Sequence, residues 1–225
     1  MANRQMARLF LVDMIQDAHF SHNEENPQVQ GTVLEAAPKA VIGYDHRKDV
    51  HDMETWLHFY VDDYRFLPLY QPQRSQEILK VLKTYGGVFG VDHSVYRDLP
   101  LPEQRYSVYL NRVTDHWFER EGIRVVPNVS WGDERSYDFC FEGLPDGTSI
   151  AVSSHGCIRA KADKAIFVEG FKAAIYRLRP RNVFHYGKIL PEVEAFAAEE
   201  KVPLIRLPTR QERAFAKQAV FGKEA

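Results

Sequence analysis

From Ala40 onward the chain alternates between two patterns. Short runs of consecutive apolar residues are followed by longer segments whose apolar residues recur every three or four positions. The apolar runs are Ala40–Tyr44, Trp56–Val61, Gly87–Val91, Ile123–Val129, Ser149–Ser153, Asn182–His185 and Val202–Leu207. Runs without a polar alternation belong to strands buried on both faces, as in parallel sheets covered by helices. The spacing predicts helices over Ser75–Thr84, Pro102–Glu121, Ala162–Leu178 and Pro191–Glu200, and a short one over Asp133–Phe141. In the longest, Tyr106, Tyr109, Leu110, Val113, Trp117 and Phe118 form one apolar stripe, proline occupies the first turn and Gly122 stops the helix. Asn111 and Arg112 are assigned to the solvated face. Asp98 is read as a cap ahead of Pro100. Thr209 with Glu212 has the spacing of a capping box for a terminal helix.

Seven β/α units, or eight if Leu9–Val12 is also a strand, imply a parallel sheet with right-handed crossovers. The expected fold is α/β: a small or reduced (β/α) TIM-like barrel, with an open doubly wound sheet as the alternative. Residues 1–35 read as an N-terminal arm, or a first strand plus a polar loop over His19–Gln30. Residues 36–225 read as a single α/β domain.

Composition narrows this picture only slightly. The 225 residues are 44% hydrophobic and 12% aromatic, enough for a sizeable core. A net charge of -2 gives no global attraction to nucleic acid or an anionic membrane. Two cysteines make no disulfide framework, which fits a reduced, cytoplasmic protein. The run Leu9–Val12 is too short for a signal-peptide core. No apolar stretch approaches the roughly 20 residues that span a bilayer.

The chemistry-bearing residues gather where strands end. Asp92, His93 and Ser94 follow one run, with Asp98 beyond; Asp62, Asp63 and Arg65 follow another; Ser153, Ser154, His155, Gly156 and Cys157 follow a third; His185, Tyr186 and Gly187 close a fourth. Carboxyl ends of parallel strands lie on one edge, so Asp63, Asp92, Asn128, Ser153 and Tyr186 are expected to line one cavity, with Trp131 in its wall. Two carboxylates in one pocket can be driven to different pKa values and take different roles. Asp92 is the candidate nucleophile or base and Asp63 its acid–base partner. Ser94, Asn128, Trp131, Ser153, His155 and Tyr186 are candidate substrate-binding residues. Cys157 is read as a small apolar residue rather than a nucleophile. No Cys-x-x-Cys, His-Glu-x-x-His, P-loop or dinucleotide fingerprint occurs, so no cofactor is expected. A dispersed divalent-metal site drawing on His46, Asp92, His155 and His185 stays open.

The blocks Trp56–Phe66, Gly87–Pro100, Val125–Trp131, Ser136–Gly143 and His185-Tyr186-Gly187, spread over about residues 40–190, resemble an uncharacterised "domain of unknown function" family of bacterial, plasmid and phage proteins. Its pattern is W-x-H-F-F-x-D-D-Y-R-F, D-x-S-x-Y-x-D-x-P, P-x-V-S-W, F-x-F-x-G and Y-G. The family usually has Pro-Asp-Phe-Ser where this chain has Val91-Asp92-His93-Ser94, so Asp92 and Ser94 fit and His93 does not. The resemblance implies a mobile-element or host-defence setting, in the cytoplasm of a bacterial or phage-infected host cell, and supplies no activity. The residues then favour an enzyme acting on a nucleotide, nucleic-acid base or sugar by glycosidic-bond or base-exchange chemistry. The alternatives are a metal-dependent hydrolase and a non-catalytic phage or host binding module.

Overall fold

A computed structural model describes residues 10–209 and Glu212. Seven parallel strands follow one another: β1 Ala40–Gly43, β2 Thr55–His58, β3 Gly87–Phe89, β4 Val125–Val126, β5 Ser149–Ser153, β6 Asn182–Tyr186 and β7 Leu204–Leu207. Four helices cross between them: α1 Pro72–Leu82, α2 Leu101–Arg120, α3 Lys161–Leu178 and α4 Pro191–Glu199. The strands pair in chain order in two sheets, β1 to β4 and β5 to β7. A single parallel bridge, Asn128 with Ala151, joins them just beyond β4. It is flanked by Val129 N–H donating to Ala151 C=O at 2.8 Å and Ala151 N–H donating to Pro127 C=O at 2.9 Å. No ladder returns from β7 to β1 among the described residues.

The strand period of two sorts the core into three clusters. Val41, Trp56, Phe89, Val126, Ala151, Phe184 and Leu207, one from each strand, pack together on the inner face. Outward-facing Leu57, Val88 and Val125 meet Ile78, Leu79 and Leu82 of α1 and Val113, Trp117 and Phe118 of α2. Outward-facing Ile150, Val152 and Val183 meet Phe167, Phe171 and Ile175 of α3 and Val193 and Phe196 of α4. Helices therefore cover the outer face alone. Residues 19–35 run along the amino-end side of the strands: the Glu119 carboxylate accepts the N–H groups of Gln30 (2.8 Å) and Gly31 (2.7 Å), and Leu34 packs against the inner cluster.

Four expectations change. Leu9 lies outside the described residues, and residues 10–14 are helical rather than a strand; a four-residue apolar run carries no period that separates the two. The helix expected over Asp133–Phe141 shrinks to a 3-10 turn at Glu134–Ser136, because the Asp133 side chain accepts the Arg135 N–H and the chain then turns Phe139 and Phe141 into the core. Asp98 caps nothing: the N-cap of α2 is Pro100, without a side-chain bond. Asn111 and Arg112 are buried, Arg112 being only 2% exposed. The Arg112 guanidinium donates to the carbonyls of Cys140 (2.7 Å) and Glu142 (2.9 Å), so loop 139–143 covers the face of α2 that was assigned to solvent. At the other end, the Thr209 N–H and hydroxyl donate to the Glu212 carboxylate at 2.9 and 3.0 Å, as the capping box requires. The remaining residues of the helix expected there lie outside the described residues.

Candidate active site

Beyond β2 the chain turns tightly at Tyr60, where the Val61 N–H donates to the Phe59 carbonyl at 2.7 Å, and turns again through Asp63–Arg65, which sets Asp63 at the strand's carboxyl end. Beyond β3 it delivers Asp92 and Ser94, and beyond β4 Asn128. The Asp63 carboxylate accepts both the N–H and the hydroxyl of Ser94, at 3.1 and 3.0 Å. One Asp92 oxygen accepts the Asn128 amide N–H at 2.7 Å, and the Asn128 amide oxygen accepts the Tyr60 hydroxyl at 3.1 Å. Tyr60 stacks on Tyr186 from β6, with centroids 4.8 Å apart, and its N–H donates to His58 Nδ1 at 3.2 Å. Asn128 is thus held by one partner on each side of its amide, with its backbone in the bridge between the sheets.

Burial pushes the Asp92 carboxyl up to about 7, and the charge of Asp63 adds to the shift; bonds from Asn128 and Ser130 pull the other way. Burial also raises Asp63, opposed by both Ser94 bonds. Behind Asp92 lies a carboxyl with no counterpart in the sequence reading. Asp115 of α2 is fully buried, accepts the Val91 N–H at 2.9 Å and is pushed by burial up to about 8. Its second oxygen lies so close to Gly90 that a Cβ there would stand 2.4 Å away, and 2.7 Å from Asn128 N. A carboxylate in mid-helix reads as solvated. The available signal was the second stripe, Val108, Asn111, Arg112, Asp115 and Phe118, at helical spacing and bounded by apolar residues.

All eight sequence-predicted residues, Asp63, Asp92, Ser94, Asn128, Trp131, Ser153, His155 and Tyr186, line one cavity of about 1290 Å³. Their parts in it differ. Trp131 offers only part of its ring, since the indole is seated on Phe167 and on the backbone at Gly170, where a Cβ would overlap it. The Ser153 hydroxyl accepts the His155 N–H at 3.1 Å and shapes the loop after β5. His155 meets Tyr186 edge-on at 5.9 Å. A smaller cavity of about 360 Å³, lined by Ser21, His22, Glu142 and Arg177 among others, contains none of these residues.

Two histidines lie elsewhere. His185 is fully buried and packs edge-on against Phe167 of α3, where burial lowers its pKa to about 4. It faces the helix layer, so the ligand pool His46, Asp92, His155 and His185 does not converge. Among the described residues no three His, Cys, Asp or Glu side chains stand together as metal ligands. His93 is likewise buried, bonded to the Tyr70 hydroxyl at 2.5 Å and lowered to about 4 by burial. The Cys157 thiol is held up at about 11, chiefly by burial, and is no thiolate near neutrality although the residue itself borders solvent.

Residues 19–201 match the profile of a domain of unknown function, DUF4417. The chain belongs to that family. It is also 32% identical over 191 residues to the Gene 1 protein of Mycobacterium phage D29, covering 75% of this chain and 70% of the phage protein. With the Gene 1 protein of Mycobacterium phage L5 it shares 34% identity over 148 residues, 62% of this chain and 63% of that one. No solved structure matches. The protein is therefore phage-related. Among the described residues no helix is long and apolar enough to cross a membrane.

Proposed function

We propose that the protein is an enzyme with a two-carboxylate site, Asp92 and Asp63, that cleaves or exchanges a glycosidic bond in a nucleotide, nucleic-acid base or sugar substrate. The observation that carries this is Asp92. A buried carboxyl poised at about 7, facing a large open cavity and within electrostatic reach of a second carboxylate, has the protonation behaviour of a general acid near neutral pH. Asp92 is the last of the pair to ionise, so it serves as the acid. Asp63, held by Ser94, serves as the carboxylate. This reverses the roles favoured from sequence alone.

In the hydrolytic form, Asp92 gives its proton to the departing base or oxygen. Water adds its oxygen to the sugar carbon and passes a proton to Asp63. Transfer of that proton back to Asp92 resets the pair. Asn128, itself held by Tyr60, keeps one oxygen of Asp92 bonded and so fixes the carboxyl's orientation in the cavity.

The scaffold we infer is a reduced (β/α) barrel. Sequential parallel pairing, the Asn128–Ala151 bridge and one inward side chain per strand support it. In that architecture every strand's carboxyl end opens on the same rim, as the shared cavity requires.

The test is release of free base or reducing sugar from nucleosides, nucleotides, oligonucleotides and oligosaccharides, followed by chromatography. Asp92→Asn and Asp63→Asn are each expected to cut the rate by about a thousandfold with no fall in melting temperature. Undiminished turnover in Asp92→Asn, or a large melting loss in both variants, overturns the reading.

A further inference from the structure

The cavity's charges are unevenly spent. Arg65 Nε reaches Asp62 at 3.4 Å and its Nη1 reaches Asp45 at 3.7 Å. The His46 ring reaches Asp49 at 2.6 Å and Asp45 at 3.7 Å. Three carboxylates here share one arginine and one imidazole, so this side of the rim keeps an acidic excess and has no cation to spare. Arg159, in the loop between β5 and α3, lines the same cavity and has no ion pair or hydrogen bond among the described residues. Asp163, the carboxylate next along the chain, is already bound by Arg97 at 2.8 Å and by the Ala160 N–H at 2.8 Å. Arg159 is also close to the chemistry: the Cys157 side chain lies within electrostatic reach of both Asp92 and Arg159. A guanidinium that lines the same cavity as Asp92, and that meets Asp163 only through space, has the donors to hold an anion bidentately.

Two further features give that anion its context. Tyr64 and Tyr96, 63% and 55% exposed, stand in the cavity lining on the opposite half of the fold and present faces on which planar rings stack. At about 1290 Å³ the cavity exceeds the usual span of roughly 300–1,000 Å³ for a small-molecule pocket.

Resting on the glycosidic reading above, we propose that the substrate is phosphate-bearing, a nucleotide or a nucleic-acid strand rather than a free nucleoside or neutral glycan. Arg159 anchors its phosphate while Asp92 and Asp63 face the sugar. A chain of units enters with its bases against Tyr64 and Tyr96.

The experiment is calorimetric titration of Asp92→Asn protein, in which turnover is silenced, with nucleoside monophosphates, the matching nucleosides and inorganic phosphate. Monophosphates are expected to bind at least about tenfold more tightly than nucleosides, and that gap is expected to collapse when Arg159→Gln is added and to survive in part with Arg159→Lys. Arg159→Gln is expected to leave the melting temperature unchanged, since the residue is exposed and unpaired. Equal affinity for nucleoside and monophosphate, a gap that survives Arg159→Gln, or no binding of any of them at millimolar concentration overturns the proposal. Tight binding of inorganic phosphate alone, with no gain from the nucleoside portion, overturns the nucleotide assignment. Base release lost in Asp92→Asn but no phosphate preference leaves the catalytic reading standing and removes Arg159. A phosphate preference without any release does the reverse.

Discussion

The half of the molecule built from β1–β4 and the half built from β5–β7 contribute to the same cavity in opposite ways. In the first, the polar groups that hold the two carboxyls are committed: Asp63 to Ser94, Asp92 to Asn128, Asn128 to Tyr60, and Asp115 to Val91 behind them. In the second, the loop after β5 is open. His155, Gly156, Cys157 and Arg159 are exposed, and Gly156 adopts φ +81 with nothing within 4 Å of where a Cβ would stand. Fixed dipoles around a carboxyl set its proton affinity before substrate arrives. A loop with unspent donors adapts to what arrives. On the function proposed above, the difference teaches a division of labour: the packed half sets the proton affinity of the carboxyls and the open half leaves a charge for what arrives.

The sharpest way to break this comparison is to compare two glycines. Gly90→Ala drives a methyl group into the Asp115 carboxyl and the Asn128 backbone, so a loss of about 3 kcal/mol in denaturant unfolding is expected. Gly156→Ala meets only backbone strain, about 1 kcal/mol. Equal losses mean that the two halves are equally packed at the cavity.

A smaller effect sharpens the comparison through pH. Asp92 and Asp115 are raised in the folded state above their unfolded values, so the folded chain holds more protons and stability falls as pH rises toward their folded pKa values. His93 and His185 are lowered, so their contribution is lost as pH falls below about 6.5. The two trends oppose each other on the acid side. From pH 6.5 to 8.5 only the carboxyls of the first half act, and a fall of about 2 kcal/mol is expected there. Asp115→Asn should flatten it; His185→Gln should change only the acid limb. A wild-type curve level above pH 6.5 would show that neither carboxyl is held protonated.

The smallest effect isolates one hydrogen bond. Asn128→Ala removes the donor that favours the charged form of Asp92, so the Asp92 titration followed by carbon NMR should move upward, with about 1 kcal/mol lost in stability. Ser153→Ala on the other half should leave that titration in place.

Much of this was legible because strands buried on both faces write themselves as unbroken apolar runs. Their boundaries and the following titratable residues placed Asp63, Asp92, Asn128 and Tyr186 at one sheet edge before any coordinates. Three kinds of residue escaped. Arg112 and Asn111 read as solvated because a helical stripe counts apolar positions, and nothing local announces that the distant loop 139–143 will cover a polar one. Asp115 escaped for the same reason, with graver effect, since it backs the strand end that carries Asp92. Arg159 carries no signal of its own in the sequence; only the ion pairs made by Arg65, His46 and Asp163 show that it is left over. Pairing of charges is a property of three-dimensional proximity, and sequence spacing records it only within a helix turn or a strand pair.

Asn128 occupies the one bridge between the two sheets and also grips Asp92. The same residue is a mechanical joint and a chemical tuning screw. Any slippage of one sheet past the other, even by a fraction of a residue, would loosen the amide and change the proton affinity of Asp92. On the function proposed above, a substrate that reaches from Asp92 across to the loop after β5 would lie over that seam like a rivet, tightening the joint that tunes the carboxyl.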